Sequence, residues 1–205
     1  TMDSTSNVRG VNVLTASVSG ACNTLVTAPC CANVKIATFT GPGNFTVTNV
    51  SDVAAENTVG YMIVAGGGGG GAKNGSFLSN FENGAGGGAG GFREGRNVPI
   101  DNFTASPLVA NAPTNAITVT AQTYPVVVGG GGAGSPFPTG SLAARGSLSS
   151  FGGITSAGGG GGGGNGGSSL TPGGSGGGEQ NWGGGNNPTG NTPPVSPAQG
   201  FGGGA

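Results

Sequence analysis

The residues that could do chemistry are few and widely spaced. Seven carboxylates (Asp3, Asp52, Glu56, Glu82, Glu94, Asp101 and Glu179) and six Lys and Arg are all the charge in 205 residues, and there is no histidine. Without an imidazole, no Ser or Cys has its usual general base, and the carboxylates fall too sparsely to suggest an acid and base pair. The densest charged cluster, FREGR at 92 to 96, is expected to be a solvated loop or salt-bridge site. Three cysteines, Cys22, Cys30 and Cys31, precede residue 32. Cys22 could bridge to Cys30 or Cys31, which would indicate an oxidising setting, or all three could be buried apolar thiols. They have no histidine or second CxxC pair to complete a zinc set.

The nearest approach to a phosphate loop is GGGGGAKNG, residues 67 to 75. It has Ala72 where the motif needs glycine before the lysine, and Asn74 where it needs a hydroxyl for Mg²⁺. Shorter glycine fingerprints recur by composition alone and carry no weight. No catalytic residue, metal site or cofactor is therefore expected. The six basic residues are scattered from Arg9 to Arg145, which is no footprint for nucleic acid. No apolar run of about 18 residues exists, so no membrane span is expected either. Sequons at Asn44, Asn49, Asn74 and Asn102 are near what chance supplies in so Asn-, Ser- and Thr-rich a chain.

What remains is glycine. Fifty glycines and thirteen prolines make up close to a third of the chain, with no glycine at every third position that would signal a collagen helix. Only five glycines (Gly10, Gly20, Gly41, Gly43 and Gly60) lie in residues 1–60; the other 45 follow. That step divides the chain into an extended N-terminal arm at 1–33, a hairpin region at 34–60 and a glycine-rich domain at 61–205. Residues 34–39 (VKIATF) and 44–50 (NFTVTNV) alternate apolar and polar around GPGN, which reads as a hairpin with Phe45 and Val47 on one face. No segment has the 3.6-residue period of a helix. The arm, with Val11, Val13, Leu14 and Val18, reads either as a strand donated to a neighbouring subunit or as an internal edge strand.

In the second part, YMIVAGGGGGGA (61–72), YPVVVGGGGAG (124–134) and FGGITSAGGGGGGGNGG (151–167) each run from apolar residues straight into polyglycine. Ordering a glycine costs roughly 1–2 kcal/mol of backbone entropy and buries no side chain in return. Flexible linkers would avoid that cost. The alternative, expected here, is a bundle of left-handed threefold helices of the polyproline type, whose amides all point outward to bond neighbouring helices. Gly66, Gly68, Gly70, Gly87, Gly130, Gly160, Gly162, Gly177 and Gly184 are the expected lattice positions. Phe92, Phe137, Phe151, Trp182 and Phe201, beside the tracts, are expected to cap its edges. The fold class is thus all-β plus a polyglycine II bundle: a small sandwich-like N-terminal part, then a layered glycine-rich domain, with essentially no α-helix.

The ordered series FTGPGNFTVTNV, VGYMIVAGGGGGG, GAGGGAGGFREG, YPVVVGGGGAG, SLSSFGGITSAGGGGGGG and GNTPPVSPAQG resembles the glycine-rich domain of bacteriophage and environmental virion structural proteins over about residues 36–205. More distantly it is similar to the tip adhesins of T-even phage tail fibres and to the glycine-rich ectodomain of the anaplastic lymphoma kinase receptor. The resemblance implies a rigid structural or receptor-binding module outside cells, at a virion surface, and further glycine runs beyond the closing FGGGA. The leading expectation is a non-enzymatic structural subunit of a virion appendage or capsid surface, of fibre or decoration type, self-assembling through its N-terminal part. Its partners would be copies of itself and other virion subunits. One alternative is an adhesin whose loops (73–83, 92–115, 135–150 and 186–199) bind a host glycan or surface protein. Another is the repeating subunit of a cellular extracellular filament assembled by strand donation.

Overall fold

A computed structural model describes residues 12–29, 33–72, 84–97, 104, 106–107, 116–136, 141–164, 171–179 and 188–204. Among these residues the elements are all strands apart from one 3-10 turn, Ala54–Glu56. In chain order they are β1 (Thr15–Ser19), β2 (Thr24–Thr27), β3 (Lys35–Thr38), β4 (Gly43–Asn49), β5 (Thr58–Val59) and β6 (Tyr61–Val64). Then follow β7 (Phe92–Gly95), β8 (Ile117–Thr118), β9 (Thr123–Val126), β10 (Ser149–Phe151) and β11 (Ile154–Ser156). The all-β expectation holds.

The expected hairpin between residues 34–39 and 44–50 does not form. Both segments are strands, but β3 pairs with β2 (Val26 opposite Ile36) and β4 pairs with β1 (Val18 opposite Phe45). The four strands make one long antiparallel ribbon, turning where the Ala28 N–H donates to the Val34 carbonyl, at 2.8 Å. GPGN is a corner halfway along it. Asn23 holds that corner: its amide nitrogen donates to the Ser19 and Pro42 carbonyls, and its oxygen accepts from the N–H groups of Thr40 and Gly41. Turn residues mark a bend equally well in either place, so composition could not tell a corner from an end.

β1, β4 and β9 form a three-stranded sheet in that order, so residues from both sides of the glycine step share it. β1 is its edge, paired within this chain. Alternation puts Phe45 (6% exposed) and Val47 (2%) on the inner face, where they pack with Val119 and Val126. Leu14 and Val18 pack against this core; Val13 is 60% exposed, and Val11 lies outside the described residues. Phe151 belongs here as well, edge-on to Phe45 at 5.7 Å and to Tyr124 at 6.1 Å. It is a core residue of the sheets, not a cap on the glycine bundle.

The FREGR cluster is also not a solvated loop. Its first four residues are β7, paired with β6 (Met62 opposite Glu94), and Glu94 is 7% exposed with its carboxylate accepting from the Ser106 N–H at 2.9 Å. Between β10 and β11, Gly152 (φ 55°) and Gly153 (φ 84°) take the two positive-φ positions of a tight hairpin turn.

Candidate functional site: a backbone lattice

Five of the strands lead into or out of seven extended tracts, which carry little side chain. Tracts I (65–72), III (129–135) and V (157–164) follow β6, β9 and β11; tracts II (84–91) and IV (141–148) run into β7 and β10. Tracts VI (171–179) and VII (201–204) complete the set. This alternation of leaving and returning makes I, III and V parallel to one another and antiparallel to II and IV.

The hydrogen bonds show what holds them. Tract I donates from Ala65, Gly68 and Gly71 to the carbonyls of Gly91, Gly88 and Ala85 in tract II, at 3.0, 2.8 and 2.7 Å. It donates from Gly66 and Gly69 to Ser147 and Ala144 of tract IV, and accepts at Gly67 and Gly70 from Gly132 and Ser135 of tract III. At Gly66 and Gly69 it accepts from Gly159 and Gly162 of tract V. Every step is three residues on both partners. A chain that turns to a new neighbour at each residue and returns to the first at the fourth has the threefold screw of the polyproline-type helix. Tract V occupies the centre: it bonds to I, II, IV and VI, and Gly158 to Gly162 are all buried.

Glycine is required because these backbones touch. A Cβ on Gly66, Gly68, Gly87, Gly160, Gly162 or Gly177 would overlap the carbonyl oxygen of Gly130, Gly160, Gly68, Thr171, Ala85 or Gly161 respectively, well inside 3.0 Å. Gly70 and Gly130 differ. Among the described residues, the nearest atom to a Cβ on Gly70 is 3.8 Å away, and nothing lies within 4 Å of one on Gly130. Gly184 lies outside the described residues, as do Cys30, Cys31, Phe137 and Trp182. Phe92 is half-buried in β7, Phe201 is 67% exposed, and Cys22 is exposed at the turn between β1 and β2.

Two parts of the lattice carry no polyglycine signal. Tract IV, SLAARGSL, falls in a segment expected to be a loop; the positions that bond to neighbouring tracts are Ala143, Ala144, Gly146 and Ser147, small enough to keep the spacing. Residues 188–200 close one side through Gln199, which is 1% exposed. Its side-chain oxygen accepts from the Ala157 N–H at 2.7 Å, its amide nitrogen donates to the Pro193 carbonyl at 2.8 Å, and its own carbonyl accepts from the Phe92 N–H. Asn191, at φ 51°, accepts from the N–H groups of Val195 and Gln199 and so shapes that segment.

Among the described residues, titratable groups stand apart from the lattice centre. Burial pushes the Tyr61 phenol up, with the Arg93 charge opposing. Asp52 is held below the usual carboxylate range by the Asn12 side-chain and backbone N–H groups, both at 3.0 Å. Among the described residues no three His, Cys, Asp or Glu side chains come together, and no helix is long and apolar enough to cross a membrane. An open groove between tracts II, VI and VII is walled by backbone, with Glu179 its one charged side chain. The chemistry this arrangement offers is backbone hydrogen bonding.

A model of the family described as "Glycine-rich domain" matches residues 39–205. No curated protein and no solved structure matches the chain. The matched span runs from the end of β3 through every tract, and the chain belongs to the glycine-rich domain family.

Proposed function

We propose that this glycine-rich domain is a rigid, non-enzymatic structural subunit at the surface of a virion, part of an appendage or of the capsid exterior. The observation that carries this reading is the three-residue register by which tracts I to VI bond to one another. Such a lattice spends the chain's residues on stiffness: tract V has no side chain beyond Cβ, and a tract of six residues spans about 19 Å. Family membership supports the glycine-rich architecture on which this reading rests.

Attachment to neighbours falls to the N-terminal ribbon. β1 is an uncharged five-residue edge strand whose outer edge is unpaired among the described residues, open to a strand from another subunit. Deleting residues 1–33 is a poor test of this, because it removes β1 and β2 and exposes the core around Phe45. Electron microscopy with gold-labelled antibody against the chain is the better one. Label at regularly repeated sites on the particle surface is expected. Label at one distal tip per particle would favour the adhesin reading, and unlabelled particles would overturn both.

A further inference from the structure

Tracts III, I and II lie in one row: I bonds to both of the others, which share no bond, and tracts IV and V close the same side of it. Among the described residues, nothing covers the other side of the row. On tract I the N–H groups of Gly67 and Gly70 make no hydrogen bond among the described residues, nor do the carbonyls of Gly68 and Gly71. The same is true of the N–H groups of Gly131 and Gly134 on tract III, and of both groups of Gly84 and Gly87 on tract II. These free donors and acceptors recur every three residues, the spacing used inside the lattice.

Among the described residues nothing requires glycine at several of these positions. A Cβ on Gly67, Gly70 or Gly131 would find its nearest atom at 3.6, 3.8 or 3.7 Å, ordinary contact distances. Tract IV shows what the chain does with an outward position that meets solvent. Its residues 142, 145 and 148 also make no lattice bond, and they are Leu142, Arg145 and Leu148, all exposed. Glycine loses more freedom on folding than any other residue, so bare glycine on the open row is a cost that a single chain does not recover.

We propose that the open row is an interface between two copies of this chain, the row of one docking on the row of the other and extending the lattice by a layer. The row is complementary to itself: it presents donors and acceptors together, and residues 65–71, 84–91 and 129–135 contain no charge. A partner with large side chains on its facing positions could not approach to bonding distance. Because the interior accepts neighbours in both directions, a two-fold-related copy fits the same geometry. This names a second assembly surface for the structural subunit proposed above, separate from the β1 edge.

Sedimentation velocity on the full chain across a concentration series tests it. Wild type and Leu142→Ala are expected to associate. The triple variant Gly67→Ala/Gly70→Ala/Gly131→Ala, whose new methyl groups have room in the fold but stand on the row, is expected to associate roughly tenfold more weakly or worse, with an unfolding midpoint at low protein concentration no lower than that of wild type. Wild type that stays monomeric throughout, or a triple variant that associates like wild type, overturns the interface. Neither result touches the particle labelling that decides the structural reading. Should the triple variant unfold, wild type alone answers: the N–H groups of Gly67, Gly70 and Gly131 should exchange more slowly at high protein concentration than at low, and equal rates overturn the proposal.

Discussion

Around Phe45 and Val47 the chain is held by apolar side chains withdrawn from water, as in most small β-proteins, whereas around tract V it has almost no side chains to withdraw. There the amides of Gly159 and Gly162 reach tract I and that of Gly160 reaches tract VI, and their carbonyls are met in turn by tracts II and IV. In the first region the backbone bonds come with the sheets and the side chains decide the packing. In the second, packing and bonding are the same contacts, so a single carbon atom is an obstruction and a backbone shift breaks several bonds together. The two regions share strands: β6, β9 and β11 end in the side-chain core or beside it and continue as tracts I, III and V. Each therefore anchors the other.

Substitutions should separate the two regions. The largest effect is expected from Gly160→Ala, whose Cβ would overlap the Thr171 carbonyl while Gly160 bonds to Gly88 and Ser175. Overpacking and the loss of two buried backbone bonds together come to about 6 kcal/mol, enough to unfold many domains of this size. Chemical denaturation checks it; a loss under about 1 kcal/mol would mean that tract V is not close-packed. Phe45→Ala should cost about 3–5 kcal/mol by leaving a cavity beside Val47 and Phe151, and the same denaturation series measures it. Gly130→Ala sharpens the contrast, since among the described residues nothing lies within 4 Å of the added methyl group and the backbone is outside the left-handed region. It should be neutral or stabilising by about 0.4–1 kcal/mol through the unfolded chain, against the loss at Gly160.

The smallest effect concerns acid. Asp52 has a folded pKa below its ordinary value because Asn12 donates to it, so its contribution is present above pH ~4 and is lost as pH falls through the folded value. A stability titration of Asp52→Asn against wild type should show curves that differ above pH ~4 and converge below it. The lattice, with no titratable group at its centre, should show no such dependence.

Much of this was legible in the sequence, and the limits have physical causes. Runs of glycine directly after apolar segments implied an ordered lattice, and alternation placed Phe45 and Val47 inward. Strand partners were not legible, because a period of two reports which face is buried and nothing about which strand lies alongside; hence the ribbon in place of a hairpin. Tract IV was hidden because a threefold helix at the lattice rim needs small residues only where it bonds to neighbouring tracts, so Leu142, Arg145 and Leu148 disguise it. Glu94 and Gln199 were missed for a similar reason: each is buried by a partner distant in sequence, Ser106 for one and Ala157 for the other. Phe151 sits next to glycine in the sequence and next to Phe45 in the fold.

The central claim is that tract I is bonded residue by residue in a three-residue register, and amide hydrogen exchange on dilute wild-type protein tests it directly. The N–H groups of Ala65, Gly66, Gly68, Gly69 and Gly71 should be protected while those of Gly67 and Gly70 exchange freely. Uniform fast exchange along residues 65–71 would contradict the lattice.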